Sequence, residues 1–183
     1  MDRLAQLVEA ALFSTDGPIS ANTLCGLERD VKKSEVLDAL EEIRRHYADA
    51  GHGVELVEVA GGYQLLTRRE FADAIARAQL VTRPRRLSGP ALETLAIVAY
   101  RQPVGRAEIE EIRGVSVESV LRSLQDRGLI DVVGRSEGTG RPLLYGTTPG
   151  FLELLGLRNL EELPRLEELS VALRSPEDVH GMG

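Results

Sequence analysis

The sequence has few aromatic residues, one cysteine and no long apolar run. Aromatics make up 4% of the 183 residues and tryptophan is absent, so leucine, isoleucine, valine and alanine must fill any core. Because Cys25 is the only cysteine, an intrachain disulfide is excluded and a reducing compartment is expected. No stretch approaches the roughly eighteen apolar residues of a membrane-spanning helix. With no cleavable signal at the N-terminus, we expect a cytoplasmic protein without membrane contact.

Positive charge is also scarce. The chain has 22 basic and 29 acidic residues and a net charge of −7. Residues 1–82 carry 9 basic and 14 acidic side chains, residues 83–150 carry 10 and 8, and residues 151–183 carry 3 and 7. Tight DNA binding depends on clustered cations that release counterions. The acidic chain is therefore expected to bind DNA only weakly or indirectly, and only its middle segment is a candidate.

The sequence repeats itself weakly. Residues 7–24 align with residues 92–109 at a shift of 85 positions, which places Ile19 on Val104, and a shift of 84 places Leu40 on Leu124. Small drifts in the shift are typical of duplicated domains with loops of different length. We interpret the chain as two copies of one fold, joined near Arg83-Pro84-Arg85-Arg86.

The second copy shows the pattern of three helices. Ser88 can cap a first helix with Pro90 in its first turn, and Pro103 stops that helix. A short helix over 107–113 ends at Gly114, and Ser116 is expected to cap a third helix over 117–127. This order is helix-turn-helix geometry. The apolar residues expected to face the core are Leu92, Leu95, Ile97, Val98, Val120, Leu121 and Leu124.

Each copy then continues into a β-hairpin. In the second copy, strand-like runs at 129–133 and 143–148 flank a glycine-rich segment, and in the first copy Gly61-Gly62 divides residues 54–67. We therefore predict an α+β, helix-dominated fold of two tandem winged-helix domains. A further helix is predicted after Thr148-Pro149, with Phe151, Leu152 and Leu155 on its apolar side. The tail from about residue 170 is expected to be disordered.

The glycine-rich segment does not match a phosphate-binding loop. A dinucleotide fingerprint needs a third glycine and a following helix, and a P-loop ends in Gly-Lys-Ser/Thr. Here Gly138-Thr139-Gly140 is followed by Arg141-Pro142 and then by a strand-like run. The tip of a wing is the better interpretation.

No catalytic or metal-binding pattern is present in the sequence. His46, His52 and His180 have no cysteines or paired carboxylates at metal-ligand spacing. Adjacent acids such as Glu110-Glu111 diverge by roughly 100° on a helix, so they are typical of a solvated face. We expect no enzymatic activity, no cofactor and no metal.

The predicted recognition helices are poorly suited to reading DNA. In the second copy the third helix exposes Glu118 and Asp126 against Arg122, and it lacks the Asn, Gln and Arg set that reads base edges. In the first copy the same helix is still more acidic. Only the arginines of the wing and the linker remain as candidates for weak, salt-sensitive contact with DNA.

Four segments of the second copy, in this order, resemble the segregation and condensation protein B family. They are LETLAIVAYRQPVGRAEIEEIRGV, RGLIDVVGR, GRPLLYGTT and FLELLGL. The resemblance covers roughly residues 87–164, and the first copy matches in layout more than in residues. Gly105 stands where the family usually has threonine, which removes one helix cap, and Leu155 stands where it has an aromatic residue.

The resemblance implies a non-enzymatic subunit of the bacterial condensin-like complex. Members form homodimers, bind the kleisin subunit (segregation and condensation protein A, ScpA) and reach the SMC ATPase through it. The complex condenses and partitions chromosomes during cell division, so a nucleoid-associated cytoplasmic protein is expected. By this resemblance residues 1–82 form the dimerisation domain, 83–89 a linker, 90–169 the kleisin-binding domain and 170–183 a tail.

Two sets of residues are candidates for the partner contacts. The set for kleisin contains the family-motif residues expected to be exposed: Tyr100, Arg101, Gln102, Arg106, Glu110, Arg113, Arg135, Arg141 and Tyr145. Arg141 and Tyr145 can equally brace the wing on its own domain. The set for the dimer lies on the first helix and is divided between core and interface: Leu4, Leu7, Val8, Ala11 and Leu12.

The alternative function is that of a winged-helix DNA-binding transcriptional regulator, because the fold alone does not separate the two. A regulator would bind a defined duplex tightly and with a steep dependence on salt. The family motifs and the acidic third helices favour the assembly subunit.

Overall fold

The computed structural model describes residues 1–78, 86–137, 140–165 and 168. The first half of the chain contains helices followed by a hairpin. Its elements are α1 (Arg3–Phe13), α2 (Ala21–Leu24), α3 (Lys33–Asp49), β1 (Val54–Val59), β2 (Gly62–Thr67) and α4 (Ala72–Arg77). Single 3-10 turns over Cys25–Leu27 and Arg69–Phe71 follow α2 and precede α4.

Short polar side chains start the helices of this half. The Asp2 carboxylate accepts from the Ala5 amide at 2.7 Å, and the Ser20 hydroxyl accepts from the Thr23 amide at 3.1 Å. Each bond satisfies a donor that has no partner within its helix. Behind these caps lies one apolar cluster from α1, α2, α3 and β1. Its buried members are Ala5, Val8, Leu12, Ala21, Leu24, Val36, Ala39, Leu40, Ile43 and Leu56.

The second half repeats the same order of elements. They are α5 (Gly89–Arg101), β3 (Val104–Gly105), α6 (Arg106–Arg113), α7 (Glu118–Asp126), β4 (Ile130–Arg135), β5 (Leu143–Thr147) and α8 (Pro149–Leu155). A separate apolar cluster fills this half. Its buried members are Ala91, Leu95, Val98, Ala99, Val104, Ile109, Val117, Leu121, Leu124, Leu129, Ile130 and Phe151.

The ends of the helices in the second half agree with the sequence patterns, with one exception. The Ser88 hydroxyl caps α5 by accepting from the Ala91 amide, and Gly114 ends α6 in the left-handed region at φ 68°. The prediction that Ser116 caps the third helix is wrong, because α7 starts one residue later and Val117 is its N-cap residue. The Val117 amide donates instead to the Glu110 carboxylate at 3.1 Å. A carboxylate from α6 has replaced the local hydroxyl.

Each half has a wing with the same topology. Strands β1 and β2 pair antiparallel and turn at Ala60 and Gly61, both with positive φ, so the hairpin predicted at Gly61-Gly62 is confirmed one residue earlier. An isolated bridge joins Ile19 to Tyr63 next to β2. In the second half β3 takes that place, giving the strand order β3-β5-β4.

The repeat seen in the sequence is thus a structural repeat. Ile19 and Val104, which align in the sequence, both pair with a tyrosine of the returning wing strand. The glycine-rich segment lies between β4 and β5, as predicted for a wing tip, although residues 138–139 are outside the described part of the chain. The fold class of two tandem winged helices is confirmed.

Two leucines predicted to face the core do not. Leu92 is 53% exposed and Leu155 is 50% exposed. Both belong to helices whose inward positions are already filled, by Leu95 and Val98 in α5 and by Phe151 in α8. The tail from residue 170, expected to be disordered, lies outside the described residues.

Candidate partner-binding surface

The residues predicted to contact kleisin lie on the second winged helix, at the end of α5, along α6 and on the wing. Two of them tie the end of α5 to neighbouring segments. The Gln102 side-chain amide oxygen accepts from the Thr147 backbone amide at 2.7 Å and from the Thr147 hydroxyl at 3.0 Å. The Tyr100 hydroxyl donates to the Pro164 carbonyl at 2.7 Å. Both side chains therefore brace their own domain.

Arg113 is the most enclosed member of the predicted set. Its side chain is only 12% exposed and reaches from α6 to the first turn of α5. It donates to the Thr94 hydroxyl at 2.6 Å and to the Pro90 carbonyl at 2.9 Å, and it pairs with Glu93 at 2.9 Å. Thr94 is fully buried, and these bonds satisfy it. Arg113 thus cross-links two helices.

Two further members of the set are also occupied within the domain. The Glu110 carboxylate accepts from the Ser116 hydroxyl and the Val117 amide, which fixes the turn between α6 and α7. Tyr145 lies on the central strand β5 and packs on the apolar cluster. The brace that the sequence allowed for Tyr145 is therefore present.

Four arginines of the set remain exposed: Arg101, Arg106, Arg135 and Arg141. Arg106 pairs with Glu118 at 3.3 Å and approaches Glu110 at 4.0 Å. Arg135 donates to the Arg141 carbonyl at 3.3 Å across the wing. Exposed pairs of this kind contribute little stability and can exchange partners at small cost.

The helices in the recognition position are acidic, as the sequence suggested. On α7 the exposed Glu118 and Asp126 accompany Arg122. On α3 the exposed Glu35 and Asp38 lie beside half-buried acids. With two acids against one arginine on α7, and with Arg106 of α6 paired to Glu118, this face offers little free positive charge for phosphates.

An apolar groove on the second winged helix was not predicted. Its volume is about 780 Å³, and Arg86 and Arg127 stand among its lining residues. The apolar lining residues are Leu87, Leu92, Leu129, Leu154 and Leu155. The adjacent leucines at 154 and 155 were the sequence signal for exposed apolar surface. Two successive residues point to different sides of a helix, so one helix face cannot bury both.

The helix predicted to carry the dimer contact is α1. Val8 and Leu12 are buried in the core of the first domain, at 0% and 2% exposure. Leu4 and Ala11 pack against that core at its edge, and Leu7 is half-buried. Phe13, which the sequence pattern did not single out, is 85% exposed at the end of α1.

The described residues contain neither a cluster of metal ligands nor a membrane-spanning helix. Over 1–78, 86–137, 140–165 and 168, no group of three or more His, Cys, Asp and Glu side chains could hold a metal ion. Within the same ranges no helix is long and apolar enough to cross a bilayer.

The folds and surfaces described above define a tandem winged-helix protein with an acidic recognition face and an apolar groove. A family model described as "Segregation and condensation complex subunit ScpB" matches residues 6–166. Segregation and condensation protein B of Moorella thermoacetica is 46% identical over all of this chain and 92% of its own length. The protein of the same name from Syntrophotalea carbinolica is 45% identical over 96% of this chain and 88% of its own. The chain belongs to the ScpB family.

Solved structures with similar sequences include ScpB from Mycobacterium tuberculosis. It is 36% identical, covers 86% of this chain and 98% of its own, and superposes with a TM-score of 0.40. A structure of a dimer of the ScpB N-terminal domain complexed with ScpA peptide is 27% identical over 40% of this chain and 91% of its own, with a TM-score of 0.38. Since both TM-scores are below 0.5, the family assignment rests on the sequence matches.

Proposed function

We propose that the protein is a non-enzymatic subunit of an SMC–kleisin complex that condenses and partitions chromosomes. It acts as a homodimer that binds the kleisin subunit and reaches the SMC ATPase through it. The observation that carries the proposal is the family match over residues 6–166, which includes both winged helices. The acidic third helices support this function over that of a DNA-binding regulator.

The kleisin contact is assigned to the second winged helix and, within the predicted set, to Arg101, Arg106, Arg135 and Arg141. These side chains are exposed, whereas the other members of the set are engaged within the domain. An arginine at a surface pair can bind a partner's carboxylate in a bidentate way. The surface is therefore expected to receive an acidic segment of kleisin.

The dimer contact is assigned to the outward side of α1. Leu7, Ala10 and Phe13 follow one another at three-residue spacing, and none of them is buried. Residues three apart on a helix are neighbours. An exposed phenylalanine in such a row supports an apolar contact with a second copy.

The proposal is tested with the full-length chain and a kleisin from the same source. Affinity capture is compared for the native chain, Arg106→Glu and Arg135→Glu, with circular dichroism as the check on folding. Arg44→Glu is the matched control, because Arg44 also pairs with a glutamate on its own helix but lies in the first domain. We expect at least a tenfold loss of captured kleisin for the two variants and none for the control. Undiminished capture would remove these arginines from the surface.

The dimer is tested separately by light scattering at micromolar concentration. Phe13→Glu is expected to give a monomer, because an acid would have to be buried in the contact. The matched change Phe71→Glu, at a position 42% exposed outside α1, should leave the dimer intact. A native chain that is already monomeric would refute the assignment.

A further inference from the structure

The tip of the first wing has two backbone donors that its own hairpin does not use. Val59 and Gly62 are the last pair of the β1–β2 ladder, so Ala60 and Gly61 form a two-residue turn. Both have positive φ, at 50° and 71°, as in the type I′ turns that join hairpin strands. The amides of the two turn residues lie outside the ladder and need partners elsewhere.

These two donors bind the second winged helix. The Ala60 amide donates to the Leu157 carbonyl at 2.9 Å, and the Gly61 amide donates to the Arg158 carbonyl at 2.9 Å. Both acceptors belong to the segment that directly follows α8. The wing tip therefore contacts the other domain through its backbone.

The acceptor segment is fixed on the second domain at both ends. Gly156 ends α8 in the left-handed region at φ 68°, and the Leu157 amide donates back to the Leu152 carbonyl at 2.9 Å. At the other end, Leu163 packs on the apolar cluster of the domain. Because the segment is held in this way, its two carbonyls are positioned for the wing by their own domain.

A buried valine of the wing belongs to neither apolar cluster. Val59 is 3% exposed, yet the core of the first domain includes Leu56 of the same strand and not Val59. Side chains alternate between the two faces of a strand, so Val59, three residues after Leu56, lies on the face opposite the core. Val59 directly precedes Ala60, whose amide binds Leu157. The second domain is thus placed to cover this valine.

The charges near the contact are complementary. The Glu162 carboxylate, which accepts from the Arg158 guanidinium, is the main reason that the pKa of Arg158 is raised, and the charge of Glu58 on the first wing adds to the rise. Arg158 therefore has one acid of its own domain and one acid of the first domain within electrostatic range.

We propose that the first wing is a protein-binding surface whose partner is the segment Leu157–Glu162 of the same chain, and that this contact holds the two winged helices in one orientation. Two backbone hydrogen bonds and one apolar side chain make a small contact, and each domain keeps its own apolar cluster. The contact therefore sets the orientation of the domains without merging their cores. The inference goes beyond the proposed function and holds whichever partner the second domain binds, because its tests use the full-length chain alone.

Amide hydrogen exchange tests the contact directly. In the native chain the amides of Ala60 and Gly61 should exchange at least tenfold more slowly than unbonded turn amides. Val59→Glu puts a charge where the second domain covers the wing, so it should abolish this protection and leave the β1–β2 ladder protected. Val57→Glu, at a half-buried position on the same face of β1, is the matched control and should retain it. Unprotected tip amides in the native chain would overturn the proposal. Loss of ladder protection in Val59→Glu would also overturn it, since Val59 would then be buried by its own domain.

The orientation is measured by the distance between two spin labels, one on each domain. In a Cys25→Ser background, labels are attached after Asp49→Cys at the end of α3 and Glu108→Cys on α6, both at exposed positions. The labelled chain is diluted with unlabelled chain, so that only distances within one molecule are recorded. We expect one narrow distribution without a further change and with Val57→Glu, and a distribution at least twice as wide with Val59→Glu. Equal widths for the two variants would overturn the proposal. A narrow distance seen only without dilution would overturn it as well, because the wing would then dock on a second copy.

Discussion

In the two winged-helix domains, equivalent residues of the first helix form hydrogen bonds to different neighbouring helices. Glu9 of α1 and Thr94 of α5 correspond at the shift of 85 residues. Glu9 accepts from the Tyr47 hydroxyl of α3 at 2.6 Å, whereas Thr94 accepts from Arg113 of α6 at 2.6 Å. The apolar positions of the repeat, such as Leu40 and Leu124, are buried in both halves. The two cores share one pattern of buried apolar residues, whereas the side-chain hydrogen bonds between helices differ.

The largest expected effect comes from the shared core. Leu40→Ala and Leu124→Ala each remove a fully buried leucine, and each should lower the free energy of unfolding of its own domain by about 2–5 kcal/mol. Hydrogen exchange read separately over residues 1–78 and 86–165 measures this. If either variant weakened protection equally in both halves, the two domains would form one cooperative unit and the comparison would fail.

The next effect concerns the hydrogen bond from Arg113 to Thr94 in the second domain. Arg113→Ala leaves the buried Thr94 hydroxyl without its charged donor and opens space between α5 and α6. We expect a loss of about 2–3 kcal/mol in the second domain, in the range for a hydrogen bond to a charged group. Denaturant unfolding measures it, and Arg122→Ala, an exposed arginine on α7, is the control. A change below about 0.5 kcal/mol would mean that Arg113 is not a brace.

A smaller effect is expected for the hydrogen bond from Tyr47 to Glu9 in the first domain. Burial, and then the Glu9 carboxylate, raise the pKa of Tyr47 to about 12. Because the folded state holds this proton more tightly than the unfolded state, the stabilisation is complete below pH 10 and is lost as the pH rises from 10 towards 12. Tyr47→Phe should cost about 1 kcal/mol at neutral pH and flatten that decline. Tyr145→Phe is the control in the other domain, and an unchanged pH profile in Tyr47→Phe would contradict the assignment.

The smallest effect distinguishes the starts of the two third helices. The Lys32 amide donates to Glu35 on α3 itself at 2.8 Å, whereas the Val117 amide donates to Glu110 on the preceding helix. Glu35→Gln should cost about 0.5 kcal/mol, and Glu110→Gln about 1 kcal/mol because it also loosens the turn between α6 and α7. Thermal unfolding of the two variants gives the order, and the reverse order would show that the bond to α6 adds nothing.

Much of this fold could be predicted because its signals are local. Ser88 caps α5 and Gly114 ends α6 through bonds to residues within four positions, so the sequence alone identifies them. The cap of α7 could not be found in this way. It comes from Glu110, seven residues before the amide it binds, and only the packing of α6 on α7 brings the two together.

The candidate surface was harder to predict than the fold. Arg113 and Gln102 are polar and were expected to be exposed, but each finds a partner at least nineteen residues away and turns inward. Leu92 and Leu155 are apolar and were expected to be buried, but they line an open groove. Residue type predicts burial only on average, since the neighbours that a fold supplies decide each case.

By itself the sequence determined the two winged helices, their repeat, their acidic balance and the family to which the chain belongs. These follow from periodicity, caps, turns and motifs, which act over a few residues or are read directly from residue identity. The tertiary structure alone decided which polar side chains form hydrogen bonds between segments of their own domain and where apolar surface remains exposed. Those outcomes depend on segments far apart in the chain meeting in space, and no local pattern encodes such a meeting.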